Sequence, residues 1–243
     1  MSHSLRRRPR FEPVARPRLV WYPISDPWVR PAIYGMAKLY FYYSTMNAGK
    51  STALLQAAYN YAERGLSTRL FIARLDERAA GRIASRIGIE AEADRFDAGT
   101  DFWGLLKDSP AHCILIDEAQ FLSVAQVRQL ARVVDEANIP VMCYGIRTDF
   151  RGELFPGSGA LLAWADTLAE LKTICSCGRK ATMVVRVSPE GAVERAGQQV
   201  EVGGNDRYVS LCRKHFSEAI RTGVCAGWPA GNPDAGDDSR ILP

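Results

Sequence analysis

Residues 43–52 read YSTMNAGKST. Gly49, Lys50 and Ser51 satisfy the end of the phosphate-loop pattern G-x-x-x-x-G-K-[ST], while Ser44 stands where that pattern begins with glycine. A loop between a strand end and a helix start points several unpaired backbone N–H groups at one place, and the helix dipole adds partial positive charge there. The chemistry this suits is binding a nucleotide triphosphate. Gly49 lets the backbone turn tightly, Lys50 reaches the β- and γ-phosphate oxygens, and the Ser51 hydroxyl ligates Mg²⁺. A second stretch, HCILIDEAQF at 112–121, is an apolar run ending in Asp117, as in a Walker B segment whose acid reaches the Mg²⁺ shell. It leaves Glu118 one position further into the cleft, and a carboxylate beside anionic phosphates is suited to take a proton from a substrate hydroxyl.

The cysteines supply a third set. Cys175 and Cys177 form a C-x-C pair, and 35 residues beyond Cys177 come Cys212 and His215 as C-x-x-H. In a reducing compartment these four read as a structural Zn²⁺ site, because thiolates and imidazole fill a tetrahedron and leave no open position for catalysis; unrelated reduced cysteines are the alternative. Cys113 and Cys143 fall inside expected buried strands and read as small apolar core residues, and Cys225 lies outside any ligand spacing.

The elements that must position these groups follow from periodicity. Short β-rich runs at 38–43, 68–73, 112–117 and 139–145 alternate with helical patterns at 50–65, ending at Gly65, and 123–138, opening on a Ser cap and closing on Asn138. Alternating βαβ units predict an α/β fold with a parallel sheet flanked by helices, and ligands in such sheets bind beyond the carboxyl ends of the strands, where both the phosphate loop and Asp117-Glu118 fall. After about residue 170 the texture changes to short strands, glycines and four cysteines, which predicts a second, smaller module.

Of the 243 residues, 47% are hydrophobic and 24% charged, ordinary for a packed globular chain. The net charge of +4 is local: residues 1–35 hold seven Arg against Glu12 and Asp26, and residues 36–243 hold 24 basic and 25 acidic groups. The basic balance therefore says nothing about the substrate, and no nucleic-acid partner is expected. Residues 1–35 also hold six of the thirteen prolines and read as a disordered basic extension or an overlong start, with Met36 opening the domain. No apolar core of a secretory signal and no run of 18 apolar residues occurs, so no membrane partner and a cytoplasmic location are expected. The segment 226–243, rich in Gly, Pro and Asp, reads as unstructured.

Taken in order, STMNAGKST, DEAQF, YGIRTDFRGELF, CSCG and GGNDRYVSLCRKH resemble the zinc-containing P-loop thymidine kinase family, its bacterial branch in particular, over Met36 to about Arg221. The resemblance implies a P-loop (RecA-like) parallel sheet with a small zinc-binding lasso domain, divided as 36–170 for the kinase domain and 171–225 for the zinc-binding lid. It implies transfer of a phosphoryl group from ATP to the 5′-hydroxyl of thymidine, giving dTMP for nucleotide salvage, with acceptance of deoxyuridine, inhibition by dTTP and assembly as a homotetramer. Mg²⁺, held by Ser51 and Asp117, and structural Zn²⁺ are the implied ions.

Carried over position by position, the phosphate loop runs from Ser44 through Thr45, Met46, Asn47, Ala48, Gly49 and Lys50 to Ser51, and Asp76, Arg78, Asp117 and Gln120 join it around the nucleotide. Glu118 aligns with the catalytic acid, acting as base. Phe150 and Phe155 match aromatic positions around the thymine, and Gln199, Val200, Glu201, Val202 and Gly203, with Tyr208, match the loop that closes over the nucleoside. The C-x-C spacing of Cys175 and Cys177 departs from the C-x-x-C of animal members and looks like a variant of the bacterial branch.

Three other readings compete, one of them a purely structural zinc protein with a relic P-loop, which would need Lys50 or Glu118 to be missing; neither is. DEAQ is shared with helicases, but those need two tandem motor domains, and roughly 200 residues hold one. A P-loop ATPase or switch, with the zinc module as a docking or nucleic-acid-binding surface, predicts basic clustering in that module beyond what folding needs; CGRK and CRKH supply a few such groups.

Overall fold

The computed structural model describes residues 36–74, 81–200 and 207–225. Six strands, β1 (Leu39–Ser44), β2 (Thr68–Ala73), β5 (Asp94–Phe96), β6 (Cys113–Asp117), β7 (Val141–Ile146) and β8 (Thr167–Glu170), form one sheet in the order β5-β2-β6-β7-β1-β8. Every pairing in it is parallel. A short antiparallel hairpin, β3 (Arg82–Ala84) with β4 (Glu90–Glu92), lies between β2 and β5 in the chain.

Period-two alternation sends each strand's side chains to two different cores. Phe71, Ile114, Ile116 and Cys143 join one core under α3 (Val124–Ala137), with α2 (Phe102–Leu106) and α4 (Pro156–Trp164) along its edge. Leu70, Ile72, Cys113, Leu115 and Tyr144 join the other with Leu54 and Leu55 of α1 (Lys50–Ala62). Burying each such side chain contributes about 1.5–3 kcal/mol. Both Cys113 and Cys143 are fully buried, as their place in the strands predicts.

The helices start and stop where their sequences direct. Ser123 accepts from the Gln126 backbone while the Gln126 side chain accepts from the Ser123 backbone, a capping box, and Asn138 closes α3 in the left-handed region. The helical pattern expected to run to Gly65 ends at Ala62 and finishes in a turn that Gly65 closes with φ 69°. Two sheet strands were not foreseen from periodicity: β5 is three residues, DRF, and β8 is four, TLAE, too short and too polar to show an alternation.

Beyond β8 come a hairpin of β9 (Thr173–Ile174) and β10 (Lys180–Ala181), a two-stranded ribbon of β11 (Met183–Arg186) and β12 (Tyr208–Leu211), and α5 (Arg213–Thr222). Val185, Val187, Val193, Leu211, Cys212, Ala219 and Cys225 close a small core of their own. Among the described residues, no helix is long and apolar enough to cross a membrane.

Candidate active site

Strands β1 and β6 are separated by β7 alone, so their carboxyl ends open on the same cleft. From β1 the chain turns into α1 through the phosphate loop. Ser44 is the last residue of β1, in register with Ile146, and its hydroxyl donates to the Thr45 carbonyl at 2.8 Å. The left-handed positions in this loop are Asn47 at φ 60° and Gly49 at φ 77°. The missing glycine is therefore no obstacle: position 44 needs only extended backbone, which serine adopts freely.

Gly49 caps α1 with backbone alone, and the first turn carries no acidic residue, so the helix N-terminus is left for an anion. Lys50 is buried and folds back over its own loop to donate to the Thr45 carbonyl at 2.8 Å. Burial pulls its ammonium below the usual lysine range, with the Glu118 and Asp117 carboxylates acting the other way. The Ser51 hydroxyl donates to Asp117 Oδ2 at 2.7 Å, which joins the phosphate loop to the end of β6. Burial pushes the Asp117 carboxyl up to about 7, the neighbouring Glu118 charge adds to this, and the bonds from Ser51 and the Glu118 N–H oppose it.

Glu118 sits in the left-handed region at φ 52°, ψ 40°, as the cap of a single 3₁₀ turn, Ala119–Phe121. Non-glycine residues hold this conformation only where their surroundings impose it. Here Glu118 N–H donates to Asp117 Oδ1 at 3.0 Å, and the Gln120 amide donates to Glu118 Oε2 while accepting from the Ile146 N–H at 3.1 Å. The structure thus spends both ends of the buried Gln120 amide on holding Glu118 against β7.

The expected acceptor-side residues are brought together only in part. Phe155 is buried edge-on to Phe121, with centroids 6.0 Å apart. Phe150 is fully buried beneath the guanidinium of Arg186, whose Cζ lies 4.0 Å from the ring centre. Gln199 donates to Asp149 Oδ2 at 3.2 Å, and Tyr208 opens β12 opposite Arg186 and bonds its guanidinium. Val200 is half-buried. Asp76, Arg78, Glu201, Val202 and Gly203 lie outside the described residues.

Sequence reasoning misses two positions, Arg186 and Ser210, and leaves out a third, Asp149, because RTDFRGE reads equally as surface or subunit contact. Arg186 is buried, pairs with Glu194, which also pairs with Arg207, and donates to the Gln198 carbonyl at 3.1 Å. This clamp closes the neck of the excursion between β11 and β12, and a side chain at Gly197, where φ is 133°, would stand 2.7 Å from the Arg186 guanidinium. A lone arginine inside the apolar run MVVRV was the available signal. Asp149 is buried and ties its own turn through the Arg151 and Glu153 N–H groups, both at 2.9 Å. Ser210 of β12 donates to the Met46 carbonyl at 2.7 Å, a direct link from the small module to the phosphate loop that no local pattern announces.

The ligand atoms of Cys175, Cys177, Cys212 and His215 all lie within 4.8 Å of one another, with Cys177 Sγ 3.9 Å from Cys212 Sγ and Cys175 Sγ 3.2 Å from His215 Nδ1. Tetrahedral sulfur and nitrogen ligands around Zn²⁺ are separated by about 3.3–3.8 Å. Burial alone would raise the Cys175 thiol, but the Cys177 and Cys212 N–H groups and the His215 ring bring it down to about 6, toward the thiolate a metal requires. Donor types and spacing fit one tetrahedral zinc ion.

Comparison with known proteins identifies relatives of this chain. A family model described as thymidine kinase matches residues 37–216. A thymidine kinase of Novosphingobium aromaticivorans is 64% identical over 190 residues, 76% of this chain and 99% of its own length. The chain is 56% identical over 196 residues to a thymidine kinase of Yersinia pseudotuberculosis, 79% of this chain and all of that protein. It is 58% identical over 190 residues to one of Vibrio cholerae, 76% of this chain and 99% of that one.

Proposed function

This chain belongs to the thymidine kinase family, and from that premise we propose how its residues carry out phosphoryl transfer from ATP to the 5′-hydroxyl of thymidine. The observation that carries the assignment of roles is the convergence of Lys50, Ser51, Asp117 and Glu118 beyond the carboxyl ends of β1 and β6, one strand apart in the sheet, locked by the 2.7 Å bond between Ser51 and Asp117.

The uncapped start of α1 and the loop from Ser44 to Ser51 receive the triphosphate, and Lys50 exchanges its contact with Thr45 for the β- and γ-phosphate oxygens. Ser51 and Asp117 would hold Mg²⁺, whose charge offsets that of the phosphates and stabilises the ionised form of Asp117. Glu118, aimed by Gln120, accepts the proton of the 5′-hydroxyl as its oxygen attacks the γ-phosphorus, and the leaving oxygen departs with ADP. We assign Gln120 a positioning part, since its amide is committed to Glu118 and β7.

Phe150 and Phe155 are assigned to the thymine side, and the segment from Gln199 to Gly203, with Tyr208, to a loop closing over the nucleoside. Closure would exclude water that otherwise hydrolyses ATP. Cys175, Cys177, Cys212 and His215 would hold a structural Zn²⁺ that fixes the base of this loop. Acceptance of deoxyuridine, inhibition by dTTP and assembly as a homotetramer belong to the same reading. So do a kinase domain over 36–170, a zinc lid over 171–225 and a cytoplasmic location.

Transfer of labelled phosphate from ATP to a panel of nucleosides tests this reading. Thymidine should be the preferred acceptor, with deoxyuridine next; ATP hydrolysis without transfer to thymidine would point to an ATPase or switch instead. The clamp on the loop gives a separate expectation. Arg186→Lys keeps the charge but cannot reach Glu194, the Gln198 carbonyl and the Phe150 face together, and it should raise KM for thymidine by roughly 10–100-fold with little change in KM for ATP. Equal changes in both KM values would show that Arg186 supports the fold generally and not the nucleoside side.

A further inference from the structure

A cleft of about 680 Å³ lies where the end of β7, the turn into β10 and the start of α5 meet, lined by Arg147, Arg179, Lys180, Arg213 and Lys214 around Met183. Among the described residues, Glu170 is the one acid in an ion pair with any of these five, through Lys180. Arg147 gives one bond to the Thr182 carbonyl at 3.3 Å and lies over the Tyr43 ring. Arg179, Arg213 and Lys214 are exposed at the rim, with no carboxylate within ion-pair distance among the described residues.

Two features set this apart from an ordinary solvated basic face. Arg213 and Lys214 occupy the first turn of α5, which has no acidic residue and no side-chain cap, so they stand at the end where the helix dipole disfavours cations. The adjacent Cys/His set does not neutralise them either: three thiolates around one divalent ion leave a single negative charge, fewer than the cations gathered here. A concave site of this size matches small-molecule ligands, and convergent Arg and Lys groups are the chemistry that holds phosphate.

We propose that this cleft is a second anion site, distinct from the phosphate loop, that takes a phosphate-bearing small molecule. The proposal rests on the cleft itself and not on the assigned reaction. Its position gives it a route to the phosphate loop: Met183 at its edge pairs with Leu211 in the β11–β12 ribbon, and Ser210 of that ribbon holds the Met46 carbonyl.

Inorganic tripolyphosphate titrated calorimetrically into the zinc-loaded full chain, at low and at physiological ionic strength, tests it. Two equivalents per chain are expected. Lys50→Ala should remove one, and the triple variant Arg179→Ser, Arg213→Ser, Lys214→Ser should remove the other while zinc content and thymidine phosphorylation stay at wild-type levels. Lys214→Glu alone, at an exposed position, should weaken the second equivalent at least ~10-fold. In the Lys50→Ala background, equal binding of tripolyphosphate and ATP identifies a plain polyphosphate ligand, and tighter binding of ATP identifies a nucleotide. A single equivalent that Lys50→Ala abolishes would overturn the proposal, as would a second equivalent that survives the triple variant or disappears at physiological ionic strength.

Discussion

Glu118→Gln should lower turnover by about 10²–10⁴ while leaving ATP affinity within a few-fold of wild type. The expectation follows from what the substitution keeps. A glutamine oxygen still accepts the Gln120 amide, and the backbone N–H of residue 118 still reaches Asp117 Oδ1, so the left-handed turn is retained. Lys50, Ser51 and the start of α1 are untouched, and these are the groups assigned to the triphosphate. Only the capacity to take a proton is lost. Single-turnover transfer to thymidine, measured beside an ATP titration of the same variant, separates the two functions. Turnover near the wild-type value would remove Glu118 from the role of base.

The largest effect on stability should come from the metal. Purified protein should carry one zinc per chain, and Cys212→Ser, or removal of the ion with a chelator, should unfold the module built on Val185, Val187, Leu211 and Ala219. Binding of structural zinc supplies about 10–16 kcal/mol that is at the same time folding free energy, and a core this small has little else to replace it. Activity should fall with it, because the β11–β12 ribbon carries both the Ser210 contact to Met46 and the Arg186 clamp at the neck of the excursion between its two strands. Metal analysis, thermal unfolding and kcat/KM for thymidine follow the loss together, and adding zinc back should restore the chelated wild type. Cys212→Ser protein that stays folded and active without metal would remove the structural-zinc assignment.

Much of the site was legible because its parts are local. The phosphate loop needs one strand end, one helix start and three residue types, all within ten positions, and Ser123 and Asn138 mark the ends of α3 by side-chain chemistry that acts over one turn. Gln120 shows the limit. The resemblance places it around the nucleotide; that its buried amide also bonds Ile146, a residue 26 positions away, follows only from the pairing of β6 with β7. Phe150 shows the same limit, since its aromatic position was evident and its partner Arg186 was not.

The amino-acid sequence by itself therefore determined the class of fold, the phosphate loop, the acidic pair and the two pairs of Cys/His side chains that cluster in the small module, because each depends on spacing within a turn, a strand or a short motif. Only the tertiary structure decided the strand order that sets β1 beside β7 and two places from β6, the commitment of Gln120, the Arg186–Glu194–Arg207 clamp and the bond from Ser210 to Met46. These join residues distant in the chain, and their energies come from burial and from hydrogen bonds that exist only after the sheet and the small module have packed.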